Sequence, residues 1–410
     1  MNNPYHIFEF PNGIRLVHRE VKAAVAHFGV IVNAGSRDEF PDEQGMAHFI
    51  EHMIFKGTQK RNSTQVINSL ENYGADMNAF TTKEETCVYA SFLSEYYPKA
   101  VEVLSDIIFH STFPEEEMKK ERSVIIDEIN SYMDNPSEWI HDEFDTLLFP
   151  GHALGMNILG TPAHLKKFRR TDLLRFMERN YTTNRIVLSS VGDCSFSKIL
   201  KLASRYFGLE EARIQGFERV APSAYQPACV DRKFGRHQAH LIIGNRACDY
   251  HDALRVPMAL LNNMLGGPSM NSRLNLALRE KHGIAYNLES NYQPMSDTGM
   301  FSIYLGTDEK MVEKAVQLVD KELKLFRDKA IGAGKLHIAR QQLKGQLAIS
   351  MESMQNEMIT MGKSLLVYNK IDTWEEICRK IDNVDAGQLM EVANRVFDSN
   401  SMSSLLFKHH

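Results

Sequence analysis

The segment YASFLSEYYPKAVEVLSDII, residues 89–108, decides the fold class because a similar segment follows roughly 210 residues later. Apolar residues alternate in its first part, which predicts a strand, and recur every three or four residues in its last part, which predicts an amphipathic helix. Its counterpart, FSIYLGTDEKMVEKAVQLVDKEL at 301–323, has the same order of strand, short polar turn and helix. A repeat of this length indicates two copies of one domain, although unrelated α+β domains also share such patterns.

The rest of the chain mixes helices and antiparallel hairpins without a regular alternation of strand and helix. Long helices are predicted at about 114–133 and again from about 335 to 362. We therefore expect an α+β fold with two homologous domains, each a mainly antiparallel sheet flanked by helices. The first domain is predicted at 1–212 and the second at 231–410. The segment 213–230 has Gly, two prolines and little periodicity, which favours a linker.

Composition excludes several classes of function. The 410 residues carry a formal net charge of −5, which offers no basic field for nucleic acid. No apolar run approaches the roughly 18 residues that a membrane span needs. The first residues lack the features of a signal or transit peptide, and the five cysteines lie far apart without a CxxC pair. We expect a cytoplasmic protein without a disulfide framework.

The segment GMAHFIEHMIFKG, residues 45–57, reads as a buried helix apart from three polar side chains. His48, Glu51 and His52 share one face of that helix, and burying them without partners would cost several kcal/mol. Two histidines at i and i+4 converge on one divalent ion, and the glutamate can reach a water on that ion. The pattern alone leaves open a chance match with solvated side chains.

A catalytic zinc site needs three protein ligands and one position for water. In the helix predicted at 114–133, Glu121, Val124 and Glu128 follow the apolar periodicity, whereas Asp127 points away. We expect Glu128 to be the third ligand and Glu121 to support the ligands without binding the metal. Alternatively, both glutamates are half exposed at the edge of an ordinary amphipathic helix.

The motif HFIEH, followed 76 residues after His52 by Glu128 in ERSVIIDEI, resembles the family of pitrilysin, insulin-degrading enzyme and mitochondrial processing peptidase. These are zinc peptidases with an inverted (HxxEH) motif. The likeness continues through GADMNAFTTKEETCVY and LLNNMLGGPSMNSRLNLALREKHGIAYNLES, so it covers both halves. It implies one Zn²⁺ ion per chain, bound by His48, His52 and Glu128. It also implies that Glu51 is the general base on the zinc-bound water.

The same resemblance implies how substrate is held. An edge strand after the second helix pairs with the backbone of an extended peptide, and here that strand contains Met77, Asn78, Ala79 and Phe80. An arginine and a tyrosine seven residues apart assist substrate and transition state, and they match Arg279 and Tyr286 of REKHGIAY. Without the resemblance, these two would be taken for a surface arginine and a packed aromatic residue.

A two-domain chain resembles the short members of the family and would form half of a clam-shell that two chains complete. We expect a zinc metalloendopeptidase that hydrolyses unfolded peptides or short protein segments inside a dimeric chamber. A homodimer is favoured because one chain carries both residue sets, and a heterodimer with a related chain is possible. The alternative is a non-catalytic structural or assembly subunit related to the processing peptidases.

Overall fold

The computed structural model of the protein describes residues 3–234 and 238–408. Its strands are β1 (His6–Glu9), β2 (Arg15–Glu20), β3 (Val25–Val32), β4 (Asp76–Thr81), β5 (Thr86–Leu93), β6 (Ile186–Gly192), β7 (Cys229–Lys233), β8 (Ala239–Ala247), β9 (Ala285–Pro294), β10 (Gly299–Thr307) and β11 (Ser403–Lys408).

The helices cover the faces of the sheets. They are α1 (Met46–Met53), α2 (Ser63–Glu71), α3 (Tyr97–Phe109), α4 (Glu115–Met133), α5 (Pro136–Leu148), α6 (Pro162–Leu165), α7 (Arg170–Asn180), α8 (Phe196–Tyr206), α9 (Arg255–Gly266), α10 (Val312–Asp328), α11 (Ala333–Met351), α12 (Met354–Tyr368), α13 (Trp374–Asp382) and α14 (Ala386–Val396). Within the described residues, no helix combines the length and the apolar character that crossing a bilayer requires.

The chain forms two compact units, each built of a sheet and helices, which confirms the predicted α+β class. Unit 1 comprises Met1–Asn130, Met156–Arg219 and Ile349–Thr373. Unit 2 comprises Ser131–Gly155, Val220–Ala348 and Trp374–His410. The sequence-based division into 1–212, a linker at 213–230 and 231–410 stays a prediction.

The two sheets have the same topology. In unit 1 the strand order is β1-β2-β6-β3-β5-β4, and in unit 2 it is β7-β11-β8-β10-β9. If the outer strand β1 is set aside, the orders match strand for strand. The directions match too, because β2–β6 and β7–β11 are parallel pairs and the remaining pairs are antiparallel. The segment repeated in the sequence forms β5 and α3 in unit 1 and β10 and α10 in unit 2.

Each unit includes a helix from the other half of the chain. Helix α12 packs on β3 and β6 in unit 1, and α5 packs on β8 and β11 in unit 2. Each helix packs closely against a glycine of the strand beneath it. A Cβ on Gly29 of β3 would lie 2.6 Å from Sδ of Met358, and one on Gly244 of β8 would lie 2.9 Å from the ring of Phe144. Any larger residue at these positions would push the helix off the sheet.

The long helix predicted from about 335 to 362 is wrong, because two helices occupy this segment. Helix α11 ends at Met351 and α12 begins at Met354, where the Ser353 hydroxyl accepts a hydrogen bond from the Asn356 amide at 3.3 Å. A serine that caps a new helix favours a break at this point. The pair α11–α12 therefore repeats the pair α4–α5, in which Pro136 opens the second helix.

The core of unit 1 positions the site described next. Along β3, Val30 and Val32 belong to the apolar cluster that includes α1 and α3, whereas Ile31 packs with Met358 of α12 on the opposite face. This alternation follows from the two-residue period of a strand. Helix α1 also contacts the edge strand β4, so the helix and that strand lie side by side.

Candidate metal centre

Helix α1 is anchored at its amino end by a buried carboxylate. Gly45 precedes the helix in the left-handed conformation, with φ of 92°. The two oxygens of Glu39 accept hydrogen bonds from the backbone amides of Gly45 and Ala47, each at 2.9 Å. These amides have no partner within the helix, so the carboxyl oxygens satisfy them. Burial raises the pKa of Glu39 well above its usual value, although the two amide hydrogen bonds oppose this.

The predicted ligands converge on one point. Nε2 of His48 lies 3.9 Å from a carboxylate oxygen of Glu128, and Nε2 of His52 lies 3.6 Å from the other. One ligand atom from each of the three residues lies within 4.8 Å of the other two. Among residues 3–234 and 238–408, this is the only such group of three or more histidine, cysteine or acidic side chains. Helix α1 supplies two of its members and α4 the third.

The environment of His48 fits a metal ligand. The side chain is buried, with 8 % of the residue exposed, and its Nδ1 has no hydrogen-bond partner among the described residues. Burial, together with the nearby His52, lowers the pKa of His48 to about 3, so the imidazole is neutral at pH 7. Neutral imidazole is the form that binds zinc, and two nitrogens with one carboxylate make a catalytic donor set that leaves a fourth position open. The residues present therefore fit a zinc ion.

Glu121 contacts a ligand, as the sequence predicts. Its Oε2 lies 3.1 Å from Nδ1 of His52, and its Oε1 lies 2.7 Å from Nζ of Lys56. Burial favours a higher pKa for this carboxyl, but the hydrogen bonds from Lys56 and His52 outweigh burial and lower the pKa. Glu121 therefore accepts a hydrogen bond from the imidazole of His52 as a carboxylate.

Glu51 lies near both the candidate metal ligands and strand β4, because His52, Glu128 and Thr81 all affect the pKa of its carboxyl. Burial raises the pKa of its carboxyl, and the negative charge of Glu128 raises the pKa further, whereas Thr81 and His52 lower it. Thr81 is the last residue of β4, so Glu51 faces the strand predicted to hold substrate. A carboxyl with a raised pKa beside a metal site suits the acceptance and return of a proton.

The predicted substrate residues lie on an edge strand. Met77, Asn78, Ala79 and Phe80 belong to β4, which is the last strand of its sheet and pairs only with β5 among the described strands. The backbone groups on its outer edge are available to pair with an extended chain.

Arg279 and Tyr286 lie in unit 2. Arg279 belongs to a short π-helical segment, Asn275–Glu280, and Tyr286 is the second residue of β9. Both line one open cavity of about 590 Å³, together with Gly266 and Gly267 at the end of α9. Tyr286 is 82 % exposed, which corrects the sequence-only expectation of a packed aromatic residue.

One helix-face prediction is wrong in part. The buried stripe of α4 consists of Met118, Glu121, Ile125 and Ile129. Val124 is 49 % exposed, and the side chain of Glu128 is 44 % exposed. Glu128 lies beside the stripe and faces the histidines of α1 across an accessible gap. From Glu121, the buried residues of α4 continue in steps of four to Ile125 and Ile129. Glu128 would belong to this stripe only if one of the two steps were three residues long.

Sequence reasoning missed Lys56 and Glu39. Lys56 lies three residues beyond the end of α1, so the helical face shared by His48 and His52 does not predict its contact with Glu121. Glu39 contacts α1 through backbone amides only, and no side-chain pattern in the sequence indicates such a contact.

The fold combines a group of side chains that could hold a metal ion with a free sheet edge, and comparison with known proteins gives the family. The sequence profile of the insulinase family, peptidase family M16, matches residues 15–162, and the profile of the peptidase M16 inactive domain matches residues 167–343. The chain belongs to peptidase family M16.

Its relatives are described as zinc proteases. An uncharacterized zinc protease of Bacillus subtilis, YmxG, is 34 % identical over 397 residues, which covers 96 % of each chain. An uncharacterized zinc protease of Rickettsia bellii is 31 % identical over 408 residues and covers 99 % of this chain and 98 % of its own. Both relatives match this chain over nearly its whole length, so the likeness includes both units.

Solved structures have the same fold. A peptidase M16 inactive domain from Pseudomonas fluorescens superposes with a TM-score of 0.92 at 19 % identity, covering 100 % of this chain and 99 % of the other. A protease from Helicobacter pylori superposes with a TM-score of 0.88 at 19 % identity, covering 98 % and 99 %. At this identity the likeness concerns the fold alone.

Proposed function

We propose that this chain is a zinc-dependent endopeptidase that hydrolyses unfolded peptides or short protein segments. The observation that carries the proposal is the convergence of His48, His52 and Glu128 beside Glu51 and next to a free sheet edge. A protein with a purely structural role has no need of this set. Membership of a zinc protease family supports the same conclusion.

Each residue has a defined task in the reaction. Bound by His48, His52 and Glu128, zinc supplies polarisation of the scissile carbonyl and lowers the pKa of a water molecule to about 7. Glu51 accepts the proton of the attacking water and returns it to the leaving amine. Its raised pKa brings the carboxyl closer to the pH at which both transfers are efficient.

Substrate recognition uses the backbone of the peptide. An extended peptide adds to the outer edge of β4 along Met77, Asn78, Ala79 and Phe80, which selects conformation more than a long side-chain sequence. A folded protein cannot present such a segment, so unfolded peptides are the favoured substrates. Arg279 binds the peptide, and the hydroxyl of Tyr286 donates a hydrogen bond to the developing oxyanion.

We further propose that the working form is a dimer in the cytoplasm. In this proposal Arg279 and Tyr286 of one chain complete the site that contains His48, His52 and Glu51 of its partner. The presence of both residue sets in one chain supports a homodimer, and a heterodimer with a related chain is the alternative.

The test combines zinc analysis with cleavage of an internally quenched peptide. The parent chain should contain one zinc ion and cleave the peptide, whereas Glu51→Gln should retain zinc and lose about 10²–10⁴-fold in rate. Glu116→Gln, at an exposed position of α4, is the matched control and should behave as the parent. Undiminished cleavage by Glu51→Gln would overturn the mechanism. A parent that binds zinc without cleaving any peptide would favour the non-catalytic alternative.

A further inference from the structure

Three side chains form a continuous chain of contacts behind one metal ligand. The ammonium group of Lys56 lies 2.7 Å from Oε1 of Glu121, and Oε2 of the same carboxylate lies 3.1 Å from Nδ1 of His52. On the other side of the imidazole ring, Nε2 of His52 lies 3.6 Å from Glu128. The chain of contacts thus runs from Lys56 through Glu121 and His52 to the metal-binding position.

Both oxygens of Glu121 are engaged, and this restricts the carboxylate to one orientation. In that orientation Nδ1 of His52 donates its proton to Glu121, and the lone pair of Nε2 points toward the metal-binding position. If Lys56 were absent, one oxygen of Glu121 would lose its partner and the carboxylate could rotate about its last bond. The hydrogen bond that fixes the ring and the tautomer of His52 would then be made only part of the time.

The two histidine ligands differ in this respect. Nδ1 of His48 has no hydrogen-bond partner among the described residues, and the buried ring of His48 packs edge-on against the ring of His52, with centroids 4.7 Å apart. His52 is less buried and is oriented by a hydrogen bond. A change at Lys56 should therefore act first on His52, which is the ligand that Glu121 contacts.

We propose that Lys56 is a positioning residue for the metal centre: it fixes Glu121, which in turn fixes His52 for zinc binding. This inference rests on the proposed function only in taking His48, His52 and Glu128 as the zinc ligands. It does not require that the chain cleave peptides.

The experiment measures zinc affinity of the full chain by competition with a chromophoric chelator. Lys56→Met keeps the length of the side chain and removes the ammonium group, and it should weaken zinc binding about tenfold, within the range typical of residues that support a ligand. Lys56→Arg should restore most of the affinity because a guanidinium can engage the same carboxylate. Lys60→Met, which changes an exposed lysine four residues further along the chain, should bind zinc as the parent does.

Two further measurements separate positioning from general destabilisation. Combining Lys56→Met with Glu121→Gln should weaken binding no more than Glu121→Gln alone, because both act through one path. In the zinc-free chain, long-range ¹⁵N correlation spectra should show His52 protonated at Nδ1 in the parent and a mixture of tautomers in Lys56→Met.

The outcomes are distinct. If the parent binds zinc and Lys56→Met binds it equally tightly, or if the two substitutions act additively, the role of Lys56 is overturned and the proposed function stands. If Lys56→Met weakens zinc binding but the parent cleaves no peptide, the inference stands and the proposed function fails. If the parent has no affinity for zinc, both are overturned.

Discussion

Units 1 and 2 share one scaffold but differ in the first helix that follows the corresponding central strands. After β3, unit 1 has α1 with the sequence MAHFIEHM; after β8, unit 2 has α9 with RVPMALLNNMLG. Helix α9 contains no histidine, aspartate or glutamate, so it offers none of the side chains that zinc prefers. Unit 2 instead has an open cavity beside β9 with Arg279 and Tyr286. The repeated fold therefore places a helix after the corresponding strand in both units, and a few residues of that helix determine which unit can bind a metal ion.

The largest expected effect is the loss of the metal from unit 1. His52→Ala should lower zinc affinity more than about 100-fold, beyond what loss of a supporting residue causes, because a ligand itself is missing. The matched change in unit 2 is Asn262→Ala in α9, which should leave affinity unchanged. Both are measured by zinc analysis after dialysis against a chelator. Retention of one zinc ion by His52→Ala would show that the metal binds elsewhere.

The second prediction tests whether the two units cooperate across a dimer. Tyr286→Phe should reduce cleavage about 10²–10³-fold through loss of a donor to the oxyanion. An equal mixture of Glu51→Gln and Tyr286→Phe chains should recover about a quarter of the parent rate, because half of the dimers form with both variants and each contains one intact site. Size-exclusion analysis of differently tagged chains verifies that they co-assemble. Co-assembly without recovered activity would contradict a site shared between chains.

The third prediction concerns the helices that each half of the chain contributes to the other unit. Phe144→Ala in α5 should cost about 3–5 kcal/mol, and Met358→Ala in α12 about 2–5 kcal/mol, because both side chains are fully buried. Hydrogen exchange should become faster in β8 for the first variant and in β3 for the second.

The control for these two variants is Ile338→Ala, at an exposed position of α11, which should change stability by less than about 0.5 kcal/mol. If Met358→Ala loosened β8 as much as β3, the assignment of α12 to unit 1 would be wrong.

The smallest expected effect is a pH dependence that differs between two buried histidines. Burial and His52 lower the pKa of His48 to about 3, and burial lowers the pKa of His240 in unit 2, where Nδ1 lies 2.8 Å from the hydroxyl of Tyr304. The unfolded chain takes up a proton on each imidazole below about pH 6.5 that the folded chain does not, so stability falls as the pH falls.

For His48, the zinc-free chain should lose about 1 kcal/mol between pH 7 and pH 5.5. Urea titrations at pH 7 and pH 5.5 should show a smaller loss of unfolding free energy in His48→Gln than in the parent. The loss that remains in the variant comes from His240 and the other buried histidines. An identical loss in parent and variant would contradict the assigned pKa of His48.

The sequence predicted the α+β class from its repeated pattern, and spacing placed His48 and His52 on one helical face. The structure brings Glu128 to them, as the comparison of helix faces and the family resemblance implied. The edge position of β4 was expected from the resemblance alone. The exposure of Glu128 was not predicted, because the apolar periodicity of α4 locates the buried face only to within one residue. The break between α11 and α12 was not predicted either, because α11 is mostly exposed and has little apolar pattern to mark its end. The roles of Glu39 and Lys56 depend on contacts between elements, which a pattern within one element does not encode.

The contribution of α12 to unit 1 affects the order in which the protein can mature on the ribosome. Ile31, Cys87 and Val187 on one face of the first sheet are buried by Met358, Met361 and Leu365. Those partners are synthesised only when about nine tenths of the 410 residues have been added. The amino-terminal half therefore cannot complete its core while the rest is being translated, although domains of many proteins do so. A nascent chain stopped near residue 219 would present an apolar sheet face to chaperones and proteases instead of a finished zinc-binding unit.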